Sequence, residues 1–268
     1  MESDPIHTIS RRELPGLRTR SFGRPTLYLE RVDSTNQFLK ERAAQLPSGT
    51  VLRAGEQTAG RGRMGRIWTG GGKDIPFSLL IRAQTPLPAL SLCCGLAVAQ
   101  GLTALVGGDF GIKWPNDIIC GRRKICGILC ESRPAAGGVY MICGMGINRT
   151  QTEEDFRRAG LPHAGSIAMQ TGQAPAPEAV MAAVLNALEP LYDALVVGGF
   201  GAIKDAFADR CVTLGRQVQV LEGTRTACGR AVGLADDGSL LVAFPDRGGE
   251  TRPIQAGEAS VRGLLGYT

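Results

Sequence analysis

The run LPALSLCCGLAVAQGLTALV, from Leu87 to Val106, constrains the fold more than any other stretch of the chain. Its length approaches that of a membrane span, so it belongs either in a bilayer or deep in a protein core. Pro88, Ser91, Gln100 and Thr103 interrupt it, and Gly95 and Gly101 lie within it. A helix buried inside a soluble domain explains these interruptions better than a lipid-facing one, so no membrane segment is expected. The 268 residues are enough to bury such a helix, and at 43% apolar and 21% charged their balance is that of an ordinary globular protein. A net charge of +5 suits anionic substrates but is too small and scattered to imply nucleic acid. Eight cysteines without an apolar leader read as reduced thiols in a cytoplasmic protein. Cys120, Cys126 and Cys130 crowd together, but no CxxC pair and no neighbouring histidine accompany them. Buried apolar thiols therefore fit better than a zinc site.

The remaining patterns predict an α+β chain. Residues 1–25 are polar and rich in arginine and proline, which suggests a flexible lead-in. A strand is expected from Thr26, then the capping cluster DSTN at Asp33–Asn36 before a helix, then a strand from Thr50. Further strands are expected from Phe77, at Ile112–Trp114, at Ile118–Cys120, from Arg123 and from Val139, the last two joined by a loop at Pro134–Gly138. Apolar residues from Val180 to Leu195 recur with helical spacing, with Pro190 marking a kink or break, and a short helix is expected from Ala202. From Cys211 the texture changes to short alternating segments with a hairpin turn at Asp237–Gly238. The domain expectation is 1–25 lead-in, 26–211 a mixed-sheet domain and 212–268 a small separate β domain.

Two clusters carry chemistry. GRGRMGR at Gly60–Arg66 sets three arginines among three glycines. Glycine admits close backbone approach to an anion, and arginine offers a fork that matches carboxylate or phosphate. A solvated basic loop has the same composition, and on these residues alone both readings stand. The P-loop pattern is absent, and the G-x-G-x-x-G spacing is too laden with cations to suit a dinucleotide turn. KWPND at Lys113–Asp117 places a cation, an indole, an amide and a carboxylate on one turn, with Lys124 at the start of the next apolar strand. An adenine-sized ligand would suit that tryptophan and turn, and a carboxylate would suit the lysine.

Together with DSTN, QTAGRGRMGRIW at Gln57–Trp68, KWPND with KICGIL at Lys113–Leu129, and GMGIN at Gly144–Asn148, the chain resembles the biotin protein ligases. The likeness runs from about Thr26 onward, with GEASVR at Gly257–Arg262 similar to the end of the family's C-terminal barrel. The resemblance implies a mixed sheet with flanking helices, like the class II aminoacyl-tRNA synthetase and biotin ligase catalytic fold, followed by an SH3-like β-barrel. It implies an ATP-dependent ligase that makes biotinyl-5′-AMP and passes biotin to a lysine of a biotin carboxyl carrier protein or domain. ATP and biotin would be substrates, with Mg²⁺.

Carried onto this sequence, the family's pattern implies Arg61 and Lys124 as catalytic groups. Ser34, Thr35, Asn36, Gln57, Gly60, Arg61, Arg63 and Lys124 would bind biotin. Arg61, Arg66, Trp68, Asn116, Asp117 and Asn148 would hold ATP or the adenylate, and Asp117 would meet the magnesium. The plainer readings are that Ser34 and Thr35 cap a helix, Trp68 anchors a core, Asp117 pins a turn, Arg66 faces solvent and Met64 packs the loop. His7 and His163 are given no role.

Only 32 residues precede Asp33, too few for the family's helix-turn-helix module, so no specific DNA binding is expected, while a homodimer is compatible with the family. Asp74 and Pro76 stand where the family has an asparagine and an ordinary strand start, which puts that strand start in question. A lipoate or octanoate transferase would share the fold but lack the Gly-Arg block. A non-catalytic biotin-binding regulator would have lost Arg61 or Lys124, and both are present.

Overall fold

A computed structural model of the chain describes residues 9–222, 225–245, 248–256 and 260–263. His7 and the Gly257–Ala259 part of the GEASVR block lie outside the described residues. The larger sheet contains β1 (Ser10–Arg12), β2 (Thr26–Val32), β3 (Val51–Gln57), β4 (Asp74–Ala83), β5 (Phe110–Lys113), β6 (Asp117–Cys120), β7 (Arg123–Ala135) and β8 (Gly138–Asn148). Its order is β1-β2-β3-β4-β8-β7-β6-β5. The sheet is mixed, because β2 and β3 run parallel while their neighbours pair antiparallel. That parallel pair needs a crossover, and helix α1 (Thr35–Arg42) supplies it.

Successive side chains of a strand point to opposite faces, and the core divides accordingly. Val51, Leu79 and Cys143 face one way and join α2 (Leu90–Val106) and α5 (Pro177–Gly198). Leu52, Leu80 and Ile142 face the other way and meet Phe38 and Leu39 of α1. Helix α2 thus buries the long apolar run inside the protein, with Cys93, Cys94, Leu96 and Val98 fully enclosed. Among the described residues, α5 is the one helix long and apolar enough to cross a membrane, but Val180, Met181, Val184, Leu185 and Leu188 pack into the same core. Pro190 does not break α5. It lies on the exposed side, where the carbonyl it leaves unbonded can meet water.

The expected flexible lead-in is corrected over its described part. Strand β1 pairs with β2, Leu14 and Phe22 are buried, and no helix precedes Thr26 among the described residues. The anchor is Glu189 of α5. Its Oε1 accepts the backbone N–H groups of Ser21 (2.8 Å) and Phe22 (3.0 Å) and the Ser21 hydroxyl (2.9 Å), and Oε2 accepts the N–H of Arg20 (2.6 Å). Asn186 adds a bond in each direction, to Gly16 O and from Arg18 N. Polar composition concealed this because its apolar anchors are only two isolated residues.

Burial alone would raise the Glu189 carboxyl, but these donors hold it down at about 2. The folded value lies below the unfolded one, so the carboxylate's contribution is present above about pH 4.5 and fades as pH falls towards 2. Glu189→Gln is expected to cost about 2 kcal/mol at neutral pH and to converge with the parent protein in strong acid, as measured by denaturant titration at several pH values.

Two strand boundaries also differ from expectation. Strand β4 begins at Asp74 rather than Phe77, with Asp74 opposite Asn148 and Pro76 opposite Gly146. Strands β7 and β8 extend until only Ala136 and Gly137 separate them. A 3-10 turn at Phe200–Ile203 then leads into the short α6 (Lys204–Ala208), and α3 (Glu153–Arg158) and α4 (Ile167–Thr171) lie in the connection that sequence left unassigned.

The second sheet is antiparallel, with β9 (Gln217–Glu222), β10 (Arg225–Leu234), β11 (Leu240–Phe244), β12 (Glu250–Ile254) and β13 (Ser260–Gly263) in the order β12-β11-β10-β9-β13. Its turn at Asp237–Gly238 uses a positive φ of 88° at Gly238. Val220, Ala231, Val242 and Phe244 are continuous with the core of the larger sheet. The chain enters this sheet past Ile112, which bonds both Arg210 and Val212. Trp114 closes the junction: it is 1% exposed, donates its backbone N–H to Thr213 Oγ1 and donates its indole N–H to Gly238 O. It is therefore a buried strut between the two sheets, and it also lines the cavity that opens on the larger sheet.

Candidate active site

A cavity of about 680 Å³ opens on the α1 face of the larger sheet. Ser34, Thr35, Asn36, Gln57, Arg61, Arg63, Arg66, Trp68, Asn116, Asp117, Lys124 and Asn148 all line it. Four separate sequence blocks are thus brought to one place. Gly60 stands outside the lining. A Cβ there would come within 2.5 Å of Trp68 O, so the glycine lets the chain pass itself where approach to a ligand was expected.

One wall is neutral. Ser34 caps α1, but the bond from Gln37 N is 3.5 Å long, which leaves hydrogen-bonding capacity in the hydroxyl. The Thr35 N–H and hydroxyl both donate to Gln57 Oε1, at 2.8 and 3.0 Å. Behind them the buried Ser78 hydroxyl lies 2.7 Å from Thr35 Oγ1 and 2.6 Å from Asn36 Oδ1. Asn36 departs from the expected role. Its amide donates to Leu129 O (3.1 Å) and to Glu131 (2.9 Å), so both hydrogens are spent on holding α1 against β7. Sequence reading missed Ser78 and Glu131, which are remote in sequence and carry no motif.

The opposite wall is charged. Lys124 reaches it because of a bulge: Ile119 pairs with Lys124, but Ile118 pairs with Cys126. In a regular strand Lys124 would share the core-facing side with Cys126 and Ile128. The extra residue turns it to the side of Gly127. Its ammonium lies 2.7 Å from Asp117 Oδ1 and 5.8 Å from the centre of the Trp68 ring. Asn148 is buried, donating to Lys124 O at 3.3 Å and accepting from Gln151 at 3.1 Å. It therefore sets the backbone beneath the lysine. Asn116 ties its turn to β7 through Ile128 O (3.0 Å) and accepts from Arg63 (2.9 Å). His163, given no role from sequence, also lines the cavity and accepts the Lys124 N–H through its carbonyl.

Across the mouth, residues 60–68 form a narrow hairpin, with Gly62 N bonded to Arg66 O and Trp68 N to Gly60 O. Its tip turns at Met64 (φ 56°) and Gly65 (φ 73°). Met64 and Ile67 are 70% and 79% exposed, so Met64 does not pack the loop as expected. Arg61 and Arg66 are exposed at the mouth, whereas Arg63 turns inward and also donates to the carbonyl of Ala256, beyond β12. Burial works against the Arg63 charge and Asp117 favours it. The hairpin therefore links the turn between β5 and β6 to the segment that follows β12.

The floor is bare backbone. A Cβ on Gly146 would lie 2.4 Å from the Trp68 ring, one on Gly127 3.0 Å from it, and one on Gly144 2.3 Å from Asn36. The indole lies against two strands at glycine positions, and alternate glycines in GMGIN were the signal available for this. Trp68 donates its N–H to Asp74 at 2.8 Å, so the residue noted as a departure orients the aromatic wall. Burial raises the Asp74 carboxyl above its ordinary value. The charged form is thus a burden above the folded value that disappears below the unfolded one. Asp74→Asn keeps an acceptor for Trp68 and removes that burden. It is expected to raise the melting temperature at pH 7.5 and to lose the advantage near pH 3.5.

Residues 28–148 match the model of the biotin/lipoate A/B protein ligase family, and residues 213–262 match that of the biotin protein ligase C-terminal domain. The chain is 34% identical over 233 residues to a bifunctional ligase/repressor of Bacillus spizizenii, covering 85% of this chain and 72% of the relative. It is 32% identical over 233 residues to a biotin–[acetyl-CoA-carboxylase] ligase of Paracoccus denitrificans, covering 81% and 93%. Its structure is similar to that of a biotin protein ligase from Aquifex aeolicus in complex with biotin and ATP, with a TM-score of 0.76 and 29% identity over 89% of this chain and 98% of that one.

Proposed function

Since the chain belongs to the biotin protein ligase family, we propose that the cavity seats biotin on its neutral wall and the adenylate on its charged wall. The protein is a ligase that activates biotin with ATP and transfers it to a lysine of a biotin carboxyl carrier protein. The observation that supports the arrangement is the polarity of the cavity. Ser34, Thr35 and Gln57 line one wall, and Lys124, Asp117 and the arginines of the hairpin surround the other. Biotin's ureido ring is neutral, with two N–H donors and one carbonyl, which suits hydroxyls and an amide. Its carboxylate and the phosphates suit the cations.

In the first step a carboxylate oxygen of biotin attacks the α-phosphorus of ATP, and the bond to the bridging oxygen breaks to release pyrophosphate. Lys124 stabilises the negative charge that the carboxylate and α-phosphate share as they meet, and Arg61 grips the phosphate from the hairpin. In the second step the carrier lysine's amine attacks the acyl carbon of biotinyl-5′-AMP, and AMP leaves. No group of the protein is covalently modified. Arg63 and Arg66, with Trp68 and Asn116, enclose the adenylate, and Asn36 and Asn148 position the wall and the lysine. Exclusion of water by the hairpin protects the mixed anhydride from hydrolysis.

Asp117 with neighbouring Asn116 fits a magnesium ion carried mainly by phosphate, because that ion needs only one or two carboxylates from a protein. Bound there, it would neutralise phosphate charge. Asp117 also holds the Lys124 ammonium at 2.7 Å, so the same carboxylate keeps that cation beside the phosphate site.

The test is intact mass of a biotin carrier domain after incubation with this protein, biotin, ATP and magnesium, with lipoate and octanoate in parallel reactions. One biotinyl group gained, with neither of the other acyl groups, is the expected result. Gain of lipoyl or octanoyl alone would overturn the assignment.

A further inference from the structure

On the face of the sheet opposite the cavity, the structure gathers three thiols that sequence keeps far apart. Cys94 lies on α2, Cys130 on β7 and Cys143 on β8, and their Sγ atoms are all within 4.8 Å of one another. Cys130 and Cys143 are direct cross-strand partners, and Cys94 descends on them from the helix. Cys94 and Cys143 are fully buried, whereas Cys130 is partly exposed. The partial exposure of Cys130 follows from topology: β6 pairs with β7 only from Arg123 to Gly127, so β7 is an open edge farther on. The open edge brings the Cys130 end of the cluster nearest to solvent, with two enclosed thiols behind it.

Three sulfurs at this spacing suit a three-coordinate centre. With bonds near 2.3 Å, a planar trigonal arrangement places its sulfurs about 4 Å apart, and a pyramidal one draws them closer. Side-chain adjustment of about an ångström would close the triangle. Charge then selects among thiophilic ions. Zinc prefers four ligands and would leave three thiolates one negative charge in excess, and monovalent copper would leave two. An enclosed cluster makes any excess negative charge costly.

We propose that Cys94, Cys130 and Cys143 form a binding site for arsenic(III), held as a neutral trithiolate between α2 and the back of the sheet. The reaction balances as As(OH)3 + 3 RSH → As(SR)3 + 3 H2O. Three As–O and three S–H bonds break, three As–S and three O–H bonds form, and arsenic keeps its oxidation state. No net proton or electron leaves the core.

The test uses the full-length reduced protein with sodium arsenite. Native mass spectrometry is expected to show one arsenic added with loss of three protons, and X-ray absorption three sulfurs and no oxygen around it. Loss of outer-shell partners alone commonly weakens metal sites about 10–100-fold, so Cys94→Ser, Cys130→Ser and Cys143→Ser should each weaken binding at least about tenfold. Cys228→Ser, at an exposed thiol on β10, should leave it unchanged. Absence of bound arsenic in the parent protein, or an arsenic shell containing oxygen, would overturn the proposal without reference to any variant. Retention of full affinity in Cys143→Ser with a parent-like melting curve would overturn it as well, as would tighter binding of zinc than of arsenite.

Discussion

Replacing Lys124 with alanine is expected to slow biotin adenylation about 100- to 1,000-fold, the range seen when a single preorganised donor is removed from a developing oxyanion. Three structural facts support so large an effect. The β7 bulge exists at the position that turns this side chain out of the core. Asn148 and His163 fix its backbone from two sides. Its partner Asp117 would be left without the ammonium 2.7 Å away, adding negative charge where phosphates must sit. Biotin-dependent exchange of pyrophosphate into ATP measures this step without the carrier. Transfer from chemically prepared biotinyl-5′-AMP should fall much less, because the acyl-phosphate is already formed. Equal losses in both assays would assign Lys124 to binding alone.

Trp114→Ala is expected to cost about 4 kcal/mol of stability, the range for a large aromatic side chain deleted from a packed core. The indole is among the largest side chains fully enclosed, and its loss also leaves Gly238 O without its donor. For a chain of this size that corresponds to a fall in melting temperature of roughly 10 °C. Calorimetry would show the second signature as well. The strut joins two sheets with a continuous core, so the parent protein should unfold in one transition and the variant in two. A single transition with a small shift would show that the junction does not depend on this residue.

Much of this architecture could be read from the chain, for particular reasons. The apolar run of α2 has an unmistakable pattern, and the strands around it alternate in a way only a two-faced sheet accepts. The site blocks were visible because glycine, arginine and lysine on short turns are costly without a purpose. Features that depend on distant partners were not visible. Glu189 looks like any helical glutamate until four donors converge on it, and Ser78 and Glu131 belong to no motif. Trp114 sits in a motif, yet its partner Gly238 lies 124 residues away, and only the fold shows that the ring is enclosed. The cysteines show the same limit. Spacing drew Cys120 and Cys126 to attention beside Cys130, whereas α2 and β8 supply its actual neighbours.

The glycine floor beneath Trp68 makes tolerance to mutation one-sided. At Gly127, Gly144 and Gly146 no smaller residue exists, so every coding change adds volume, and that volume is taken from the indole, from Asn36 or from whatever the cavity holds. Elsewhere in a core an oversized side chain can be answered by trimming a neighbour. Here the neighbours are the residues that line the cavity. A lineage carrying this floor can vary at exposed positions far from Trp68, but it has almost no freedom to reshape the plane beneath that indole.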